Sequence, residues 1–256
     1  MLAVAALLDR RSAVRAIRRA FPRADWHLFV ARSTSHLLAL LYRHALDAVV
    51  LGGDAARGPA LVLWREHFPA IPLLVYLPLR ADDAEFLAAL ERDHVAGIAV
   101  EGLDEPALAR IVSRQGVTAR RVTELAPLAR RLDLTEPLQR RAWQQISADA
   151  PRRPDTASLA HRLGVRRETL SRSFAAGRAP TLKRAIDGVR LVAAARLLAN
   201  PGYSVADAAR LLRFSSVSSL QATSRRTFGV PARSLARLDA GEIVAGLAAD
   251  GAGIWS

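Results

Sequence analysis

The chain has 256 residues, 51% of them apolar, which excludes a disordered tail and leaves room for one large domain or two ordinary ones. Its net charge is +13 and it has no cysteine, which excludes disulfides, thiolate metal sites and cysteine nucleophiles. No apolar run approaches the roughly 18 residues that a membrane span needs, so the expectation is a cytoplasmic protein.

The opening MLAVAALLDRR lacks a basic leader region and its apolar run stops at Asp9, so it reads as a first strand rather than a signal peptide. Short apolar runs then alternate with amphipathic ones to about residue 115. Strands are expected at 2–8, 27–31, 47–52, 72–77 and 97–100. Between them RSAVRAIRRAF, SHLLALLYRHAL, GPALVLWREHF and DDAEFLAALERDHV place apolar residues three and four apart, as helices packed on one side do. PALARIVSRQG follows the last strand in the same pattern. Short connections between strand and helix, five times over, imply a five-stranded parallel sheet with helices on both faces.

An open parallel sheet places its site at the carboxyl ends of its strands. Here those ends are Leu8-Asp9-Arg10, Gly52-Gly53-Asp54, Leu77-Pro78-Leu79 and Glu101-Gly102. The order of elements resembles a response-regulator receiver domain, a flavodoxin-like fold. That resemblance implies an acidic cluster after the first strand, a phosphoacceptor Asp ending the third, a hydroxyl ending the fourth and a lysine ending the fifth. Those places hold Gly52, Leu77 and Glu101, and only Asp9 is left of the cluster. A lone carboxylate beside Arg10 and Arg11 is a poor Mg²⁺ site, because that ion needs clustered oxygens. Asp54 is a displaced acidic residue with nothing else that phosphoryl transfer requires. The expectation is therefore a degenerate receiver, not phosphorylated.

GGDAARG (52–58) is glycine-rich after a strand, but it matches neither phosphate-binding pattern and reads as a turn. Histidines 27, 36, 44, 67 and 94 are scattered, without metal-ligand spacing. No catalytic constellation, metal site or cofactor is expected, and an enzyme is not the reading.

Residues 116–136 lose the alternation, and a helix follows through EPLQRRAWQQISAD, with Thr135 as the expected cap and Pro137 in its first turn. PRRPD (151–155) breaks the chain again. The expected organisation is a receiver-like domain at 1–120, a linker at 121–135, a helical domain at 136–240 and a tail at 241–256.

Charge separates these regions. Residues 1–150 carry +3, whereas 151–238 hold 17 basic and 4 acidic residues and carry +13; the last 18 carry −3. All but one of the basic residues are arginine. A compositional bias would enrich arginine everywhere but would not empty one segment of carboxylates. The segment has the electrostatic footprint of a nucleic-acid or acidic-surface binder.

Within it, Asp155 or Thr156 caps a helix to about Leu163, Gly164 ends that helix, and a second runs to Phe174. Leu159, Ala160, Leu163, Val165, Leu170 and Phe174 make one apolar seam, the pattern of a helix-turn-helix. Glu168, Ser171 and Arg172 share the opposite face, and Arg166 and Arg167 stand at the start. VADAARLLRFSSVSSLQATSRRTFG (205–229) repeats the device: Ala209 answers Ala160 at an offset of 49 and Leu220 answers Leu170 at 50, so the turn gains one residue. Between the copies TLKRAIDGVRLVAAARLLAN (181–200) reads as one helix about 30 Å long, close to the spacing of successive major grooves.

SLAHRLGVRRETLSRSF, GVRLVAAARLLAN and RRTFGVPARSLARL together resemble the AraC/XylS family of transcription regulators over about residues 135–238. That resemblance implies an all-α domain with two helix-turn-helix units joined by a long helix. It implies base contacts from Glu168, Ser171 and Arg172 in the first unit and from Val217, Ser218 and Gln221 in the second. Ser216 is counted with these DNA-binding residues, and Arg225 and Arg226 read as grips on phosphate. The departures fall in the second unit: Arg213 stands where the family has glycine, Ser224 where it has Phe, and Ala222 where an arginine is common. The expected function is sequence-specific regulation of transcription on double-stranded DNA. The first domain is expected to sense a protein or small-ligand effector, or to form a homodimer, without phosphate. The alternative is a protein-interaction module whose DNA-binding domain is vestigial.

Overall fold

Five short aliphatic runs become five parallel strands: β1 (Leu2–Leu7), β2 (Trp26–Ala31), β3 (Ala48–Gly52), β4 (Leu73–Leu77) and β5 (Gly97–Val100). The sheet order is β2-β1-β3-β4-β5, the doubly wound order of flavodoxin-like and receiver folds. β3 and β4 are buried along their whole length, as strands covered on both faces must be, which is why the sequence shows runs there and not alternation. The helices are α1 (Arg11–Ala20), α2 (Thr34–Arg43), α3 (Gly53–Arg57), α4 (Pro59–His67), α5 (Ala84–Arg92) and α6 (Glu105–Gln115). On the α1 and α6 side, Val4, Ala6, Val50, Leu74 and Tyr76 pack against Ile17, Phe21, Leu108 and Val112.

In this computed structural model the described residues are 1–152, 155–175 and 179–248. They form two units, Met1–Arg120 with Asn200–Gly202, and Arg121–Ala199 with the residues from Tyr203 on.

Among its described residues the second unit has helices and no strand. α7 (Val117–Leu125) and α8 (Leu128–Arg131) occupy the stretch where sequence suggests a linker. Two side chains explain the difference. Arg121, 2% exposed, donates from Nε to Ser147 O at 2.7 Å and from a terminal nitrogen to Ala148 O at 3.1 Å, capping the end of α9 (Pro137–Asp149). Trp143, also buried, donates its indole N–H to Leu125 O at 2.9 Å. The N-cap of α9 is Glu136 and not the expected Thr135, because Glu136 and Gln139 form a reciprocal capping box.

A 3₁₀ turn (Ala150–Arg152) leads to α10 (Thr156–Leu163), α11 (Arg167–Ala175) and the long α12 (Leu182–Leu198). At 17 residues α12 is about 25 Å long, shorter than the sequence pattern suggests. Thr181 caps its start, and Pro201 follows its end. Next come α13 (Val205–Leu211), α14 (Val217–Phe228), a second 3₁₀ segment (Ala232–Arg237) and α15 (Ala240–Ala248). Residues 241–248, expected as a tail, are thus mostly helix, with Ile243 and Leu247 buried. Gly188 of α12 makes room for Leu247: a Cβ there would sit 1.9 Å from Leu247 Cδ2. Arg184 of α12 donates to the Leu247 and Gly246 carbonyls at 3.1 and 2.6 Å, satisfying the end of α15. Trp255 lies outside the described residues.

Candidate nucleic-acid interface

Each helix-turn-helix copy is set by a cap, a reversed turn and a buried seam. In the first, Asp155 Oδ1 accepts from Ser158 N at 2.8 Å, so Asp155 and not Thr156 is the N-cap of α10. That amide, followed by the Ser158 side chain, holds the Asp155 carboxyl below its ordinary value. Gly164 takes φ +70°, and Val165 N donates to Ala160 O at 3.1 Å, closing the turn. Leu159, Ala160, Leu163, Leu170 and Phe174 are buried. Arg166, Arg167, Glu168, Ser171 and Arg172 are all exposed, and none of these four charged groups pairs with a partner of opposite sign among the described residues. Gln139 Nε2 donates to Ser173 O at 2.7 Å and fixes the far end of α11 on α9.

The second copy repeats that backbone. Ser204 and Asp207 form a capping box at α13, with Arg210 adding a hydrogen bond to Asp207 at 2.5 Å. Burial acts to raise the Asp207 carboxyl, but the bonds from Ser204 and Arg210 outweigh it and hold it low. Phe214 N donates to Ala209 O at 2.8 Å, the same bond as Val165 to Ala160 shifted by 49. The residue in the left-handed conformation is Arg213, at φ +54°. Ser216 Oγ accepts from Ser219 N at 3.0 Å and caps α14, and Gly229 ends it at φ +71°.

Residues 159–237 match the family model for the helix-turn-helix domain, of AraC type.

The match spans under a third of the chain, and it points to DNA binding in the regulation of transcription. No curated protein sequence matches significantly. Among solved structures, full-length FixJ from B. japonicum aligns over 93% of this chain and 98% of that chain, at 10% identity and a TM-score of 0.39. A likeness that loose decides nothing about either unit.

Within the AraC-type region several side chains depart from what sequence suggests. Ser224 is fully buried and donates its hydroxyl to Val230 O at 2.7 Å, so a polar tie to the FGVP turn stands where the family resemblance implies Phe. Gln221 accepts from Ala232 N at 3.0 Å, which uses one of the two lone pairs of its carbonyl and ties the side chain to the segment after the FGVP turn. Val217 and Ser218 are exposed at the start of α14. Arg225 is exposed, whereas Arg226 lies 3.3 Å from Asp187 of α12, which also meets Lys183 at 3.3 Å. Sequence reasoning missed Arg190. Buried on α12, it donates to Leu212 O at 2.8 Å and stacks on the Phe214 ring at 3.9 Å, bracing the second turn from behind. Arg190 lies directly before the apolar run LVAAA (191–195), and that neighbourhood is the signal that was available.

At the carboxyl edge of the sheet the expected receiver residues come together in altered roles. Asp9 accepts from Asp54 N at 3.0 Å and Ala55 N at 3.1 Å, so its carboxylate sits on the start of α3. GGDAARG is therefore a short helix and not only a turn. A Cβ at Gly52 would stand 2.3 Å from Asp9 Oδ2, so an aspartate there has no room while Asp9 holds that position. Asp54 contributes its amide while its side chain is exposed. Leu77 is buried in the core, and Glu101 pairs with Arg10. Nearby, Tyr76 gives its hydroxyl proton to Glu105; burial pushes the Tyr76 hydroxyl up, and its bond holds the Glu105 carboxyl low. Among the described residues no group of three acidic or histidine side chains has a metal-binding arrangement, and no helix is long and apolar enough to cross a membrane.

Proposed function

We propose that the chain is a sequence-specific, DNA-binding transcription regulator whose first unit signals without phosphoryl transfer. The observation that carries the reading is the outward face of α11, where Arg166, Arg167, Glu168, Ser171 and Arg172 are exposed opposite the buried Leu170 and Phe174. In this mode the N-terminal part of the second helix enters the major groove. Arg172 is assigned to the O6 and N7 acceptors of a guanine, and Arg166 and Arg167 to phosphates. In the second copy Ser216, Val217, Ser218 and Gln221 face the groove, with Arg225 on the backbone and Arg226 divided between the backbone and Asp187.

Independence from phosphate is supported by the Asp9 carboxylate, which fills the space that a side chain at position 52 would need. The first unit then acts through a protein or small-ligand contact, or through pairing with a second copy. Domain roles follow: sensing in 1–120, reading in the helical region that includes 136–240.

Selection of bound duplexes from random DNA at roughly physiological salt tests the proposal. Two half-boxes about one helical turn apart would assign reading to both copies. One half-box would leave reading to α11 alone. The neutral residues at the start of α14, Val217 and Ser218, with Ala222 after them, favour a second reading, a protein-interaction module with a vestigial DNA domain. No enrichment over bulk DNA would select that reading and sink the first.

A further inference from the structure

The first unit carries a basic surface that neither the fold nor the receiver resemblance calls for. Among residues 1–24 there are six arginines and a single carboxylate, Asp9, which is engaged with the α3 amides. α1 itself has no acidic residue. Its buried side is Ala13, Ala16 and Ile17, which turns Arg11, Arg15 and Arg18 outward at spacings of four and three. The three positions span about 10 Å along the helix axis, the reach of about three phosphates on one strand. On the neighbouring α6, Arg110 and Arg114 are exposed one turn apart, and the two helices pack on the same side of the sheet. None of these five arginines pairs with a carboxylate among the described residues. The two acids at the start of α6 are already engaged: Asp104 accepts from Val100 N at 2.8 Å, and Glu105 accepts from Tyr76 and Gly102.

Chemistry narrows the occupant. Unpaired like charges held side by side cost stability, so a surface that keeps them needs a counter-charge of matching period. Protein partners are gripped mainly by buried aromatic and apolar anchors, and this outward row offers only guanidinium groups with Ser12 between them. A guanidinium fork matches phosphate oxygens two at a time, and a nucleic-acid backbone presents them periodically.

We propose that the Arg11, Arg15 and Arg18 row, flanked by Arg110 and Arg114, is a second phosphate-binding surface that grips duplex DNA outside the sequence read by the helix-turn-helix units. The inference rests on the chain being a DNA-binding protein. The second contact adds affinity without adding sequence information.

The test uses the full chain on its selected duplex, with and without about 20 base pairs of flanking DNA. Arg11→Gln, Arg15→Gln and Arg18→Gln are combined; glutamine keeps helix propensity, and an unchanged thermal midpoint checks the fold. On the long duplex the slope of log affinity against log salt is expected to become shallower by about 2–3, close to 0.9 per lost phosphate contact. On the short duplex the slope should not change, and the preferred sequence should stay the same on both. A second variant, Arg110→Gln with Arg114→Gln, should act in the same direction by about 1–2. An unchanged slope on the long duplex for both variants overturns the inference while leaving the functional reading intact. Loss of poly-glutamate binding with an unchanged DNA slope also overturns it, and assigns the face to acidic proteins. A wild-type chain that binds no duplex at all defeats the functional reading and this inference together.

Discussion

The two helix-turn-helix copies have the same backbone and opposite surfaces. Ala160 and Ala209, Leu170 and Leu220, and the turn bonds from Val165 and Phe214 correspond pair by pair. Outward, α11 offers Arg167, Glu168, Ser171 and Arg172 where α14 offers Val217, Ser218, Gln221 and Ala222. Packing constrains the inner residues of both copies alike, whereas the outer ones answer only to what they touch. The comparison teaches that a repeated scaffold does not imply a repeated specificity.

The strongest way to break the comparison is at the seam. Phe174→Ala removes a fully buried ring and is expected to cost about 3–5 kcal/mol of unfolding free energy in urea. Ser224→Ala, at the matching place, deletes one hydroxyl and leaves the Val230 carbonyl without that donor; about 1–2 kcal/mol is expected. Equal costs would mean that the two seams are not built differently.

Next come the outward faces. Arg172→Ala should cost about 1–3 kcal/mol on the selected duplex and relax preference at one base pair, read by competition binding. Gln221→Ala should cost less than about 1 kcal/mol, since it removes a neutral side chain already tied through one lone pair to Ala232. A larger loss at Gln221 than at Arg172 would invert the assignment of reader and follower.

The turns give a smaller effect of opposite sign. Gly164→Ala forces a side chain into the left-handed region and should destabilise by about 1 kcal/mol, although no atom stands within 4 Å of the new Cβ. Arg213→Gly relieves the same conformation and should stabilise by up to about 1 kcal/mol, provided the Arg213 side chain itself contributes little. Thermal midpoints moving in the same direction would refute the shared turn.

Acid gives the smallest effect. Asp155 and Asp207 cap α10 and α13 with carboxyls held below their ordinary value of 3.8. A group whose folded pKa is depressed contributes stability that is complete above the unfolded value and lost as pH falls through the folded one. The urea midpoint of the second unit should therefore be flat near neutrality and decline below about pH 4. Asp207→Asn should remove part of that decline, and an unchanged decline would deny the cap its role.

Much of the reading region was legible because local rules govern it. Gly164 announces its turn, Asp155 or Thr156 announces a cap, and the offset of 49 becoming 50 announces the extra turn residue. The first unit was legible as strands and helices for the same reason, since apolar period separates the two. What stayed hidden involves partners distant in sequence. Glu136 displaced Thr135 as a cap only because Gln139 completes the box, and the stretch at 121–135 looked like a connection because Arg121 finds its carbonyls 26 and 27 residues away.

By itself, the sequence determined the five-fold strand and helix alternation, the two matching turns and the concentration of positive charge in 151–238. These follow from periodicity, backbone preference and composition, which neighbouring residues settle among themselves. Tertiary structure alone decided that Asp9 fills the space beside Gly52, that Ser224 ties the FGVP turn, and that Arg190 is buried under Phe214. Ser224 and Arg190 are buried polar groups, stable only beside a partner, and Asp9, although exposed, is held by the α3 amides; in each case the fold brings the partner close.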